Sequence, residues 1–156
     1  MKINILLAED DSDFGMILKQ YLELEDFEVL WFQNPEDILP VLQSDFPFHI
    51  GILDIMMPNI DGFELVRIIR NNNNKKVSSI PVIALSGKRN LNPEDFMSKG
   101  FTAFHSKPLK LDELLLLIKS IFEGKPIDIS EQLEETRKNE KLFDLSSLNK
   151  FTQNDR

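Results

Sequence analysis

The sequence predicts a doubly wound α/β fold, with a five-stranded parallel sheet and five helices. Three observations lead there. Short apolar runs of strand length alternate five times with amphipathic segments of helix length, within about 123 residues. The first, third and fourth runs are apolar on both faces, as parallel strands covered by helices are. Four of the five runs end in polar or ionisable residues, at the carboxyl ends where open α/β sheets bind ligands. An eight-unit barrel would need roughly twice the length, and the crossovers are expected to be right-handed.

The first strand is Ile3–Ala8. A helix follows over 12–24, with Asp11 or Ser12 at its N-cap and Phe14, Ile17, Leu18, Tyr21 and Leu22 on one face. Phe27–Phe32 is the second strand, and a helix over about 35–44 opens with Pro35 in its first turn. His49–Asp54 is the third strand. The helix after it, about 61–72, carries Phe63, Val66 and Ile69 in its stripe, with Gly62 serving the loop or the helix start. The run NNNNKK at 71–76 reads as a solvated loop. The fourth strand is Ile80–Leu85, and a weaker helix at about 93–99 starts at a proline. Phe101–His105 is the last strand. The final helix of the unit, 111–123, presents Leu114, Leu115, Leu117, Ile118, Ile121 and Phe122.

The chain has 156 residues, which suits one domain of residues 1–123 with a short appendage over 124–156. Its formal charge of −8 argues against non-specific binding to nucleic acid or to anionic membranes. There is no cysteine, hence no disulfide framework and no thiol chemistry. The greasiest stretch, LLLLI at 114–118, is far too short to span a bilayer, and the N-terminus does not read as a signal peptide. A cytoplasmic location is expected, which also suits the cytoplasmic part of a membrane-bound sensor. After Phe122 the composition turns polar and charged: a linker, then a helix at about 130–141 with Glu131, Glu134 and Glu135 in its opening turns.

The strand ends carry the chemistry. Strand one ends in Glu9-Asp10-Asp11, strand three in Asp54, strand four in Ser86-Gly87, and strand five runs into Ser106-Lys107-Pro108. If the order is 2-1-3-4-5, strands one and three are neighbours and their acids crowd together, and like charges a few Å apart raise one another's pKa. A hard divalent cation with oxygen ligands, Mg²⁺, would compensate, and Lys107 supplies a second positive charge. The set reads as a nucleophile (Asp54), metal ligands (Asp10 and Asp54, with Glu9 through water), a hydroxyl donor (Ser86) and a cation (Lys107). That is the equipment for phosphoryl transfer to a carboxylate.

ILLAEDD, ILDIMMPNIDGFEL, PVIALSG and SKP resemble, in order and spacing, the motifs of the response-regulator receiver family, a CheY-like, flavodoxin-like fold. The likeness covers about residues 2–123. It implies that Asp54 is the phosphoacceptor and that Glu9 and Asp10 form the acidic pocket, with Asp10 a direct Mg²⁺ ligand and the Met56 carbonyl a further one. It implies that the Ser86 hydroxyl bonds a phosphoryl oxygen, that Lys107 bridges phosphoryl and Asp54 oxygens, and that the Lys107–Pro108 bond is cis. Phe104 stands at the aromatic switch position, where the family often has Tyr, so its switch would work by packing alone or be muted. The implied partners are a histidine kinase or a histidine phosphotransfer (HPt) protein; on phosphorylation Ser86 would be drawn inward and the face of the fourth helix, fifth strand and fifth helix (about 93–123) would switch, with a dimer through that face as a further expectation. Met56, two residues past the acceptor, and Lys88, two past Ser86, border the phosphoryl group, and an apolar Met56 predicts slow self-dephosphorylation. Met57 reads as core. The segment LFDLSSLNKFTQNDR is similar to the opening of an HPt domain, as in a truncated hybrid sensor kinase or receiver–HPt chain. A disordered tail or a dimerising helix are the alternatives.

Blander readings stand beside these. Asp11 or Ser12 serves the helix cap, whereas Glu9 and Asp10 lie too early for it. His49 and His105 read as ordinary strand residues, so the chain receives a phosphoryl group but has no residue suited to start the relay. An aspartate-nucleophile hydrolase of the haloacid dehalogenase kind needs a second Asp where Met56 stands. No basic recognition helix supports DNA readout. A phosphorylation-independent binding module, a pseudo-receiver, is the remaining alternative.

Overall fold

The computed structural model describes residues 2–87 and 92–123. In chain order these form β1 (Asn4–Ala8), α1 (Ser12–Leu24), β2 (Glu28–Phe32), a 3-10 turn (Pro35–Asp37) leading into α2 (Ile38–Leu42), β3 (Ile50–Asp54), α3 (Gly62–Arg70), α4 (Lys75–Ser78), β4 (Val82–Ser86), α5 (Pro93–Ser98), β5 (Ala103–Ser106) and α6 (Leu111–Glu123). Every strand pairing is parallel, in the order β2-β1-β3-β4-β5. Lys88, the linker, the helix expected at 130–141 and the segment likened to an HPt opening lie outside the described residues.

The strand pattern follows burial. All five residues of β3 and of β4 are buried, and so are the last four of β1. The outer strands, β2 and β5, are only partly covered. On one face of the sheet, Leu6, Ala8, Leu53, Val82 and Ala84 join a cluster with Ile38 and Leu42 of α2, Leu65, Val66 and Ile69 of α3, and Phe96 of α5. The other face carries Ile5, Leu7, Ile52, Ile83 and Leu85, all fully buried. Helix α1 lies over its β1–β2 end, where Gly15 faces the Trp31 ring. Burial at roughly 25 cal/mol per Å² of apolar area makes these two layers the main source of stability.

Helix ends obey local rules. The Asp11 carboxylate accepts hydrogen bonds from the backbone N–H groups of Asp13 and Phe14, capping α1. Asp61 caps α3 in the same way through the N–H of Glu64. Asn92 and Asp95 form a reciprocal capping box at α5. Within α2, Pro40 falls in the first turn, where its missing N–H would have had no helical partner. A separate unit begins at Asp112; its described part, α6, buries Leu114, Leu117 and Ile118.

Element limits shift by a residue or two in several places, β5 for one running Ala103–Ser106 rather than Phe101–His105, and three departures have a plain physical reason. The described residues form six α-helices rather than five, because the NNNNKK stretch ends in a single helical turn, α4, capped by Asn74 and anchored by the buried side chain of Val77. The fourth strand begins at Val82 rather than Ile80, since Pro81 has no N–H for the ladder, and it runs on to include Ser86. The helix expected over 35–44 is shorter, starting as the 3-10 turn and becoming regular only at Ile38.

Candidate functional site

Register brings the polar strand ends together. Ala8 pairs with Leu53, so Glu9 follows β1 at the level of Asp54. Asp54 pairs with Leu85, and Ser86 with Ser106, which sets Lys107 one residue past Ser86. Backbone bonds carry the ladders one step beyond the strands: the Glu9 N–H donates to the Phe32 carbonyl (3.1 Å), Ile55 to Leu85 (3.0 Å) and Lys107 to Ser86 (2.7 Å). Residues far apart in sequence are thereby fixed on one rim by the sheet itself.

Glu9 and Asp54 are buried, at 0% and 2% exposure, while Asp10 is half-buried. One carboxylate oxygen from each of Glu9, Asp10 and Asp54 lies within 4.8 Å of the others. The Lys107 ammonium sits 3.3 Å from Asp54 Oδ2 and 3.5 Å from Glu9 Oε1, and 5.2 Å from the centroid of the Phe14 ring. Asp54 Oδ1 accepts from the Met56 N–H at 3.3 Å, and Glu9 Oε2 from the Asp11 N–H at 3.2 Å. Glu9 Oε1 is buried without a hydrogen-bond partner.

The electrostatics follow. Burial pushes the Glu9 carboxyl up to about 8, and the neighbouring Asp54 adds to the rise. The Asp11 N–H and Lys107 act in the opposite direction but are outweighed. Among the described residues, Lys107 alone pairs with these two buried acids, which leaves the cluster short of positive charge. Three carboxylates gathered this closely, with a buried Glu9 oxygen that takes no hydrogen bond, fit a hard divalent cation of the Mg²⁺ kind.

The other residues singled out in the sequence fall as follows. Ser86 is buried at the end of β4. Lys107–Pro108 is a cis peptide bond, as expected. The Met56 side chain is 60% exposed, two residues past Asp54, whereas Met57 is buried in the core. Gly62 permits a close approach: a Cβ there would stand 2.6 Å from the Asp54 carbonyl oxygen. Phe104 stacks on Phe96 and packs, partly buried, against the core cluster. His49 is structural, its Nδ1 accepting from the Asn4 N–H at 2.9 Å, and His105 Nδ1 lies 2.8 Å from the Ser106 carbonyl oxygen.

Sequence reasoning missed three neighbours of the site. Phe14 reads as one more member of the α1 stripe, yet its ring faces Lys107. Trp31 and Gln33, at and just past the end of β2, donate side-chain hydrogen bonds to the carbonyls of Glu9 (2.9 Å) and Asp10 (3.1 Å). The one available signal was a polar-tipped tryptophan and a glutamine at the carboxyl end of an edge strand.

Residues 5–119 match the family model described as the response regulator receiver domain. The chain is 31% identical over 134 residues to the heme response regulator HssR of Staphylococcus epidermidis, covering 85% of this chain and 57% of that protein. It is 34% identical over 127 residues to the transcriptional regulatory protein FlgR of Helicobacter pylori, covering 80% of this chain and 30% of that one. The chain thus spans little more than half the length of the first of these relatives and less of the second. Among solved structures, a CheY-like response regulator receiver domain protein from Methanospirillum hungatei superposes with a TM-score of 0.67 at 26% identity, covering 86% of this chain and 99% of that one. Among the described residues, no helix is long and apolar enough to cross a membrane.

Proposed function

The chain belongs to the response regulator receiver domain family, and on that premise we propose that it accepts a phosphoryl group on Asp54 from a phosphohistidine of a histidine kinase or an HPt protein. The observation that carries this reading is the Asp54 carboxylate, buried at the end of β3 and held between Lys107 Nζ and the Met56 N–H. A carboxylate in that position is oriented and partly desolvated, as an attacking group must be.

In the transfer, an Asp54 oxygen attacks phosphorus and the P–N bond to the donor imidazole breaks. The bonding pair leaves with the nitrogen. Lys107, already within reach of Asp54, pairs with a phosphoryl oxygen as charge moves onto it, and the Ser86 hydroxyl donates to another. Asp10, Asp54 and the Met56 carbonyl would hold Mg²⁺ directly, with Glu9 acting through water. When bound, the ion supplies the neutralising charge that the cluster otherwise lacks.

The phosphorylated state would then be read at the α5–β5 surface. Drawing Ser86 inward at the end of β4 shifts the balance between two packings of the neighbouring β5, where Phe104 lies. With no hydroxyl on Phe104, that shift works by ring packing alone. Loss of the phosphoryl group by attack of water on phosphorus regenerates the Asp54 carboxylate and inorganic phosphate.

Incubation with acetyl phosphate and Mg²⁺, followed by Phos-tag electrophoresis, tests the proposal. Wild type is expected to shift and Asp54→Ala to remain unshifted. A wild type that never shifts refutes it and favours phosphorylation-independent binding.

A further inference from the structure

The loop bearing the acidic pair is short, and its backbone groups are held in an unusual way. Between β1 and α1 stand only Glu9, Asp10 and Asp11. The Glu9 N–H donates to the carbonyl of Phe32, the Glu9 carbonyl accepts from Trp31 Nε1–H at 2.9 Å, and the Asp10 carbonyl accepts from Gln33 Nε2 at 3.1 Å. Three consecutive residues at the end of β2 thus grip both carbonyls and one N–H of the pair. Buried backbone polar groups need such partners, but a strand neighbour commonly supplies them from its own backbone. Here two side chains do so.

The tryptophan has a seat cut for it. A Cβ at Gly15 would lie 2.6 Å from the indole Nε1 and closer still to the ring carbons, so the ring occupies the space of the missing side chain on α1. Any other residue at 15 would displace the ring and its N–H from the Glu9 carbonyl. The seat therefore fixes the indole, the indole fixes the Glu9 peptide, and the peptide fixes where the Glu9 and Asp10 carboxylates stand relative to Asp54.

We infer that Trp31 is a positioning residue for the Glu9–Asp10 acidic pair, setting the affinity of the pocket for a divalent cation through its hydrogen bond to the Glu9 carbonyl. The inference rests on the proposed reading of the pocket as a Mg²⁺ site. Outer partners of metal ligands tune affinity because a freed ligand must be reordered on binding. Trp31 is also the single tryptophan of the chain, so its fluorescence reports on this site alone.

Calorimetric titration of the full chain with Mg²⁺ tests the role. Trp31→Phe keeps a ring in the Gly15 seat and removes the donor. Its Mg²⁺ affinity is expected to fall about three- to tenfold, the range for losing one hydrogen bond in a ligand's support. A purely structural tryptophan would lower the urea midpoint without moving the Mg²⁺ dissociation constant of the folded protein. A second measurement needs no variant at position 31: Trp31 emission should change on adding Mg²⁺ to wild type, with the calorimetric dissociation constant, and should stay constant in Asp10→Asn. Equal affinity in Trp31→Phe, or wild-type emission indifferent to Mg²⁺ while calorimetry records binding, overturns the inference and leaves the metal site standing. A wild type that takes up no Mg²⁺ overturns both.

Discussion

The Phe104 ring lies face to face on Phe96, with centroids 4.6 Å apart and planes 9° from parallel. Phe96 is fully buried and also stacks on Phe63 at 5.9 Å and meets Phe101 edge-on at 6.1 Å. The Phe104 ring is thus the half-buried outer layer of an aromatic stack. Phe96→Ala should cost about 3–5 kcal/mol of folding stability. Phe104→Ala should cost less, about 1–3 kcal/mol, because its ring gives up less buried area. Urea denaturation of the two variants measures both; equal losses would mean that Phe104 is held more deeply than its half-burial indicates.

Metal-free stability should depend on Glu9. Its carboxyl rises from an ordinary value of 4.5 to about 8 on folding, chiefly by burial and then through Asp54. Between those values the folded chain keeps a proton that the unfolded chain has released. This contribution is full below pH 4.5 and is lost as the pH rises toward 8. In EDTA, the thermal midpoint of wild type should therefore fall more steeply over that window than that of Glu9→Gln. Mg²⁺ uptake at pH 7 should release protons, seen as a dependence of the calorimetric heat on buffer ionisation enthalpy.

Gly62 should tolerate no side chain. A Cβ would stand 2.6 Å from the Asp54 carbonyl oxygen and 2.9 Å from the Ile55 Cα, both backbone atoms with nowhere to go. Gly62→Ala is expected to cost about 1–3 kcal/mol by overpacking and to slow acetyl phosphate labelling by moving the loop that carries the Met56 carbonyl. Denaturation and labelling rates check the two parts separately; an unchanged labelling rate would detach the loop position from the chemistry.

Met56 should set the phosphoryl lifetime. Its side chain, two residues past the acceptor, is 60% exposed and offers no strong hydrogen bond to an attacking water. Met56→Asn introduces a donor and an acceptor there, and the aspartyl phosphate of that variant should decay several-fold faster than wild type, within the range of about 100-fold or less for positioning one water. Decay followed by Phos-tag electrophoresis after donor removal decides it, and an unshortened lifetime would sink the idea.

Much of the site was legible because its signals are local. A carboxylate ending an apolar run, an acidic pair ending another, and a Lys-Pro after a third mark strand ends by composition, and parallel pairing does the rest. Asp54, Glu9, Asp10 and Lys107 stand together for that reason. What stayed hidden depends on contacts between distant segments. Trp31 reaches the Glu9 carbonyl across 22 positions, and its seat is the absence of a side chain at Gly15, which reads in sequence only as a weak point in a helix. Phe14 carries the stripe periodicity whether its ring meets core or cation. The α4 turn is held by one buried residue, Val77, within a stretch whose asparagines and lysines all read as loop. Strand limits moved for a simpler reason, since Pro81 lacks the donor that would open β4 earlier.

The central claim is that Asp54 carries the phosphoryl group. Treating the protein with acetyl phosphate and Mg²⁺, trapping the acyl phosphate by borohydride reduction and sequencing the peptides by mass spectrometry reads the site directly. The account predicts reduction at Asp54 alone, abolished by EDTA and absent from Asp54→Ala. Modification at another residue, equal labelling of Asp54→Ala, or an unlabelled wild type would contradict it.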